Sequence, residues 1–280
     1  MSTVSPATDL PRINGRLRSA LSARSRPPRA NAVSASVTFG WRAVLKLKHV
    51  PEQLFDVTMF PLMFVLMFTY LFGGALEGSP RDYLQFLAPG ILVQSIVMIT
   101  IYTGTVLNND LRKGVFDRFR SMPVWRPSFL VGAMLGDLLR YTIAASVVLG
   151  VALILGFRPA GGVLGVIGGT LLVMLFAFSV SWIWTMLSMF MRTQESLMFA
   201  SFLVMFPLTF VSNIFVRPET MPSWLESFVD INPISWLTTA TRGLMSGDPN
   251  AGDIGMVLIA SVALVAVFGP LTMFFYNRKE

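Results

Sequence analysis

Six long segments of this chain are almost entirely apolar, and they limit its fold more than any other feature. A helix that crosses the hydrocarbon core of a bilayer needs about 20 mostly apolar residues. The segments lack the alternation of apolar and polar residues that a membrane β-barrel shows, so they predict helices. Only 13% of the residues are charged, against roughly 25% in soluble domains, which excludes a soluble fold. We place the spans at residues 55–72, 84–107, 128–157, 163–191, 196–216 and 254–276.

The basic residues lie mainly on one side of these spans. Of the 22 Lys and Arg residues, 17 fall in the N-terminal segment, the second and fourth loops and the C-terminus. Four fall in the other loops, and Arg140 lies within the third span. The positive-inside rule therefore predicts a multi-pass protein of the cell membrane with both termini in the cytoplasm. The net charge of +7 is then a topology signal that favours anionic lipids, and not nucleic acid, as partners.

The chain before the first span has two parts. Residues 1–36 are rich in Ser, Ala, Arg and Pro, which predicts a disordered cytoplasmic tail ahead of a membrane domain at 37–280. Residues 38–54 interleave apolar side chains with Arg42, Lys46 and Lys48. This pattern predicts an interfacial helix whose basic side chains reach the lipid headgroups. A plain juxtamembrane linker is the alternative.

The second cytoplasmic loop, residues 108–123, carries a helical pattern. Leu111, Val115, Phe119 and Met122 follow each other at spacings of four, four and three, so they share one face of a helix, and most of the charged residues lie elsewhere. An apolar stripe beside a charged face is expected of a helix that docks into a groove of another protein. The alternative is a basic loop that sets topology and lies on the membrane, and the spacing alone favours neither.

The last outward loop, at about residues 217–253, is too long for a simple turn. Apolar residues stand at helical spacing on both sides of Asn232-Pro233. The loop therefore predicts two short amphipathic helices that form an external lid or a re-entrant hairpin. An ordinary helical cap on the outer leaflet is the alternative.

Polar residues within the spans are few. Asp137 and Arg140 are three residues apart on the third span, so they can pair, and a structural ion pair is favoured over a proton or substrate site. Two polar and aromatic stripes could line a cavity for a flat amphiphile, although helix packing explains such stripes as well. Their residues are Gln94, Met98 and Tyr102 in the second span, and Phe202, Phe206, Thr209 and Asn213 in the fifth.

Nothing in the chain suggests catalysis. The sequence has no G-x-x-x-x-G-K-[ST] phosphate loop, so this polypeptide is not expected to hydrolyse ATP. It has no cysteine and a single histidine, His49, which excludes disulfides, thiolate chemistry and a His- or Cys-based metal site. We therefore expect no cofactor and no metal in this chain.

Three stretches give the chain a resemblance to a known family. They are KHVPEQLFD at residues 48–56, KGVFDRFRSMP at 113–123, and NPIS at 232–235 followed by TTATRGLM at 238–245. Together with six spans and no ATPase, the ordered part of the chain resembles ABC-2-type exporter permeases. The likeness is greatest to the membrane subunits of the daunorubicin/doxorubicin resistance exporters of actinobacteria.

The resemblance implies a fold and a set of partners. The fold is an all-α membrane protein of six spans, with an N-terminal connecting helix, a cytoplasmic coupling helix and a helical external loop. A separate ATPase subunit would bind ATP and Mg and drive a pair of permease chains, as a homodimer or a heterodimer, in a bacterial inner membrane. The second and fifth spans would flank the substrate path, and Asn232, Pro233 and Arg242 would belong to the external gate. The ATPase-coupling residues would be Leu111, Lys113, Gly114, Val115, Phe116, Asp117, Arg118, Phe119 and Arg120.

The implied function is export of amphiphilic drugs such as anthracyclines, with resistance as the outcome. Export of a lipid, a polyketide lipid or a glycan by the same kind of machine is the nearest alternative. A stand-alone secondary transporter is less favoured, because the spans lack an acidic relay and a detectable repeat between the two halves. A membrane-embedded enzyme is the least favoured, for want of catalytic groups.

Overall fold

A computed structural model describes residues 31–48, 51–113 and 128–278, and the regular structure in these ranges is helical throughout. The predicted all-α fold is confirmed. The helices are α1 (Ala32–Lys48), α2 (Pro51–Glu77), α3 (Pro80–Ile99), α4 (Ile101–Arg112), α5 (Ser128–Leu155), α6 (Gly162–Phe190), α7 (Gln194–Phe210), α8 (Ser223–Ile231), α9 (Pro233–Ser246) and α10 (Ala251–Arg278), with a 3-10 turn at Pro218–Thr220.

Five stretches of helix are long and apolar enough to cross a membrane. They are Thr58–Glu77, Pro80–Arg112, Leu130–Leu155, Gly162–Phe190 and Ala251–Tyr276. The predicted fifth span, 196–216, corresponds to α7, an apolar helix of 17 residues that ends at Phe210. Its length is at the lower limit for a crossing, which is about 17 residues. The chain turns at residues 211–216, where the prediction continued the helix.

The N-terminal helix packs along α5. It begins at Ala32, inside the range 1–36 that composition assigned to the tail, and residues 1–30 lie outside the described ranges. A methyl group on Gly132 of α5 would lie 2.4 Å from the Cβ of Phe39, so the glycine is what allows the two helices to approach. The predicted helix before the first span is therefore present, and it covers a face of the bundle.

The second span forms the centre of the bundle. Residues of α3 such as Leu84, Leu87 and Ile91 are completely buried, and α3 packs against α2, α5, α6 and α9. The span is divided at Thr100, which keeps helical dihedral angles, so α4 continues almost directly from α3. In α4, a Cβ on Gly104 would lie 2.8 Å from the carbonyl oxygen of Trp184, which shows how closely α4 and α6 approach.

The Asp137–Arg140 pair predicted from spacing is present and buried. The Arg140 guanidinium donates to Asp137 Oδ1, and Thr103 Oγ1 donates to Asp137 Oδ2 at 2.6 Å. The hydroxyls of Tyr141 and Ser181 lie 3.0 Å apart next to this pair. The network therefore joins α4, α5 and α6 through buried, hydrogen-bonded polar side chains, as is expected of a structural ion pair.

The turns between the helices define two ends of the bundle. At one end, which we call the hairpin end, lie the turn at Gly78-Ser79, the turn at 156–161, the segment 211–217 and the α8–α9 hairpin. Hydrogen bonds from Gln85 Nε2 to the Gly156 oxygen (3.1 Å) and from the Gly161 amide to the Met245 oxygen (2.8 Å) join these parts. The opposite end contains the C-terminus of α4 and the α6–α7 connection.

Candidate functional site

The predicted coupling residues follow the last turn of α4. Leu111 packs onto a small apolar cluster with Leu107, Leu130 and Met189, and Lys113 caps the helix and is exposed. Asp110 lies 3.7 Å from Arg42 of α1, which ties the N-terminal helix to this point. The other coupling residues lie outside the described ranges; they are Gly114, Val115, Phe116, Asp117, Arg118, Phe119 and Arg120.

A second contact fixes the end of α4. The side-chain amide of Asn108 donates to the carbonyl oxygens of Ser188 and Met191, both at 2.9 Å, at the C-terminus of α6. Helix ends leave carbonyl groups without intrahelical partners, and Asn108 satisfies two of them. A displacement of the segment after residue 113 would therefore act on α4, α6 and α1 together.

The predicted stripe of the second span lies mostly inside the bundle. Met98 and Tyr102 are half-buried against the main core. Gln94 is only 2% exposed, and neither atom of its side-chain amide has a hydrogen-bond partner among the described residues. An unpaired buried amide costs free energy. The side-chain amide of Gln94 can therefore donate hydrogen bonds to, and accept them from, a group outside the described residues.

The predicted stripe of the fifth span is divided. Phe202 and Phe206 are 49% and 42% exposed, whereas Thr209 is buried and donates to the Met205 oxygen at 2.9 Å. The expectation that Asn213 continues this helical face is wrong, because α7 ends at Phe210. Pro207 has no amide hydrogen, and Asn232 takes up carbonyl groups at the end of α7, so the helix stops there. Asn213 instead lies in the turn, where its Nδ2 donates to Thr239 Oγ1 at 2.8 Å.

The two predicted stripes do not form one continuous face within the chain. Helix α7 packs chiefly against α4, the half of the second span that contains Tyr102. The rings of Phe202 and Phe206 remain exposed on its surface. A substrate path that includes both Gln94 and these rings must therefore also include surfaces outside the two predicted stripes.

An aromatic surface that extends beyond the two predicted stripes joins α7 to α2. Ring centroids are 4.2 Å apart for Phe206 and Phe210, 5.1 Å for Phe210 and Phe215, and 4.5 Å for Phe215 and Phe68. On α2, Phe68 continues to Phe72 at 5.2 Å. The signal was visible in the sequence, because α2 carries a phenylalanine at every fourth position; these are Phe60, Phe64, Phe68 and Phe72.

The predicted gate residues Asn232 and Pro233 connect α9 to the end of α7. Asn232 Oδ1 accepts the amide hydrogen of Ile234 at 2.9 Å, which caps α9, and Pro233 is the first residue of that helix. The side-chain Nδ2 of Asn232 donates to the oxygens of Leu208 and Val211, at 2.7 and 2.6 Å. One buried amide thus sets the start of α9 and the end of α7.

Arg242 connects α9 to the second span. Its Nε donates to the Phe86 oxygen and one of its terminal nitrogens to the Ile214 oxygen, both at 2.9 Å, and its guanidinium lies 3.6 Å from the centre of the Phe86 ring. The Tyr83 hydroxyl donates to the Phe215 oxygen at 2.8 Å beside it. The structure therefore brings the predicted gate residues into contact with the ends of both path spans.

The described ranges contain no group of three or more His, Cys, Asp or Glu residues that could hold a metal ion. The arrangement offers instead a buried unpaired amide, exposed aromatic rings and a hairpin tied to the spans. These features suit binding and movement of an amphiphile.

Comparisons with known proteins identify the family of this chain. The model of the ABC-2 type transporter family matches residues 35–246, a range that contains all the coupling, path and gate residues above. The chain is 52% identical over 280 residues to the daunorubicin resistance ABC transporter permease protein DrrB1 of Streptomyces coeruleorubidus, with 99% of each chain covered.

More distant relatives are also permeases. Identity is 23% over 215 residues to the probable doxorubicin resistance ABC transporter permease protein DrrC of Mycobacterium tuberculosis, with 76% of this chain and 78% of the relative covered. It is 22% over 199 residues to the probable multidrug ABC transporter permease YbhR of Escherichia coli, with 71% and 54% covered. This chain, a multi-pass membrane protein built of apolar helices, thus belongs to the ABC-2 type transporter family.

Proposed function

We propose that this chain is the permease subunit of an ATP-driven exporter of amphiphilic drugs of the anthracycline type, and that it confers resistance to them. The observation that carries the proposal is the 52% identity, over 99% of both chains, to a daunorubicin resistance permease. The half-buried and exposed aromatic groups and the unpaired amide of Gln94 support the proposal, because such ligands are bound by apolar walls with a few isolated polar groups.

In this proposal a separate cytoplasmic ATPase binds ATP and Mg and docks on residues 111–120. The sequence itself has no phosphate loop. The contacts of Asp110 with Arg42 and of Asn108 with the end of α6 support the proposal, because they link the docking segment to three helices of the bundle. ATP binding would then shift the permease between two states.

A second permease chain, identical or related, completes the transport path. The aromatic surface of α2 and α7 supports this step, since Phe72, Phe202 and Phe206 are exposed beside the turn that leads to the gate. The excess of basic residues in the N-terminal segment, the second and fourth loops and the C-terminus supports a cytoplasmic location of both termini and of the docking segment, with the hairpin end outside. The membrane would be the inner membrane of a bacterium.

The test is drug export in a sensitive bacterial host that expresses the chain together with the ATPase that co-purifies with it from its native host. We expect drug accumulation to fall and to stay low after collapse of the proton gradient. The double variant F116A/F119A is expected to lose export and ATPase association while its membrane insertion stays normal. The matched control is W224A/F228A, which removes two exposed aromatic side chains at the hairpin end.

Three outcomes would contradict parts of the proposal. Unchanged export and unchanged ATPase association in F116A/F119A would contradict docking on this segment. A stable ATPase complex that gives no drug resistance would favour a lipid or glycan as substrate. Export that stops with the proton gradient, or the absence of any co-purifying ATPase, would favour a stand-alone transporter.

A further inference from the structure

A cavity at the hairpin end collects three of the four arginines of that side of the chain. It has a volume of about 350 Å³ and lies between the first turns of α3, the α5–α6 turn and α9. Arg158, Arg217 and Arg242 line it together with one carboxylate, Asp82, and with Gln85 and Phe86. We call it the arginine cavity.

The positive charge of this cavity is not neutralised within the described ranges. Arg217 pairs with Glu77 at 2.5 Å. The Arg158 guanidinium donates only to the backbone oxygens of Leu153 and Phe157, at 3.0 and 2.9 Å, and has no carboxylate within 4.0 Å among the described residues. Carbonyl oxygens satisfy the donors of a guanidinium without cancelling its charge.

The Arg242 guanidinium is likewise bonded to carbonyl oxygens rather than to a carboxylate. Its hydrogen bonds go to the backbone oxygens of Phe86 and Ile214, and no described carboxylate lies within 4.0 Å of it. The carboxylate of Asp82 is turned toward its own helix start, where Ser79 Oγ donates to it at 2.5 Å. The cavity therefore keeps two guanidinium groups without a counter-ion, and its net charge is positive.

The guanidinium groups are also held in place. Both Arg242 and Arg217 lie over the ring of Phe86, with their guanidinium carbons 3.6 Å and 5.1 Å from the ring centre. Cations over an aromatic face keep a defined plane, and a planar guanidinium presents paired donors that match the oxygens of a phosphate. Two like charges at one ring repel each other, and an anion bound in the cavity that both arginines line would relieve this repulsion.

We propose that the arginine cavity binds a phosphate group. Its volume is at the low end of the range of about 300–1,000 Å³ for ligand sites, which suits a headgroup better than a whole drug. A net positive cavity repels a cationic amphiphile, so the site is separate from the drug path. The phosphate could belong to a phospholipid or to a free anion in solution, since the cavity lies where the helices leave the apolar layer, and the experiment distinguishes these sources.

The lipid source is tested with the full-length chain, delipidated in a nonionic detergent and titrated with phosphatidylglycerol or with the diacylglycerol that lacks its phosphate. Native mass spectrometry measures the bound fraction. We expect phosphatidylglycerol to bind at least tenfold more tightly than diacylglycerol, and R158Q to weaken it about tenfold, as loss of one charge-assisted hydrogen bond predicts. R81Q is the matched control, because Arg81 is exposed at the same end but does not line the cavity.

The free-anion source is tested by thermal unfolding of the same samples with inorganic phosphate. Two results together would assign the site to a soluble phosphate. Phosphate would raise the melting temperature of the wild type and of R81Q but not of R158Q, and the chain would not discriminate between the two lipids. R242Q loses two structural hydrogen bonds, so its fold is checked first, whereas R158Q loses only local ones. If the wild-type chain distinguishes neither the two lipids nor phosphate from chloride, or if R158Q equals wild type in both assays, the proposal is overturned.

Discussion

Trp184 donates its indole hydrogen to the hydroxyl oxygen of Thr100 at 2.8 Å, at the residue where α3 passes into α4. Both residues are buried, and Thr100 also donates to the Val97 oxygen at 2.6 Å. The central span is thus held to α6 at the point where its helix is divided. Since α4 leads to the proposed docking segment and α3 to the predicted gate residues, this bond lies between the two regions to which we assign functions.

The first prediction concerns this bond. W184F should lower the free energy of unfolding by about 1 kcal/mol more than W182F, because a net intramolecular hydrogen bond contributes about that much. Trp182 is the matched control, since it is also buried on α6 but its indole nitrogen has no partner among the described residues. Unfolding of the purified chain in mixed micelles measures both. Equal losses would show that the Thr100 contact contributes nothing.

The second prediction concerns the closeness of α4 and α6. G104A should destabilise the chain and displace α4, because the new Cβ would lie 2.8 Å from the Trp184 oxygen, which is backbone and cannot give way. G150A is the control, since a Cβ on Gly150 of α5 meets nothing within 4 Å and alanine favours a helix by about 0.5–1 kcal/mol. The same unfolding assay applies. A G104A variant as stable as G150A would contradict the packing described.

The third prediction concerns the buried ion pair. D137N and R140M should each destabilise the chain by about 3–5 kcal/mol, because each leaves one buried charge without its partner. The double variant D137N/R140M should be destabilised by much less than the sum of the two single losses, since neither buried charge remains. A thermodynamic cycle of the four proteins measures the coupling. Additive losses would mean that the two residues act independently.

Much of this architecture is readable from the sequence because the bilayer leaves few alternatives. Long apolar runs must be helical where no water satisfies the backbone, and five of the six predicted spans coincide with described helices that are long and apolar enough to cross a membrane. Spacing also gave the Asp137–Arg140 pair, because residues three apart on a helix are neighbours. These predictions depend on local geometry alone.

The predictions that failed or stayed incomplete depend on contacts between distant segments. Apolarity runs on to residue 216, yet α7 stops at Phe210 where Asn232, more than twenty residues later, takes its carbonyl groups. The arginine cavity could not be predicted from the sequence for the same reason. Arg158, Arg217 and Arg242 come from three separate segments, and only the tertiary packing of these segments brings them together.

The fourth prediction gives the arginine cavity a pH dependence. Burial lowers the pKa of Arg242 to about 9, and the neighbouring charge of Arg217 adds to the shift. Phosphatidylglycerol binding is therefore expected to be constant near neutral pH and to fall several-fold between about pH 8 and pH 10, as the cavity loses one of its positive charges.

Folding stability should change in the opposite direction over the same pH range. The unfolded chain keeps a proton on this arginine to a much higher pH than the folded chain, so the cost of burying the charge falls and stability rises as the pH increases above about 9. Titration of lipid binding and of unfolding on one sample separates the two effects. R158Q should bind phosphatidylglycerol weakly and still lose binding as the pH rises, whereas R242Q should bind it weakly with no loss of binding over this pH range. A decline that persists in R242Q would assign the titration to another group.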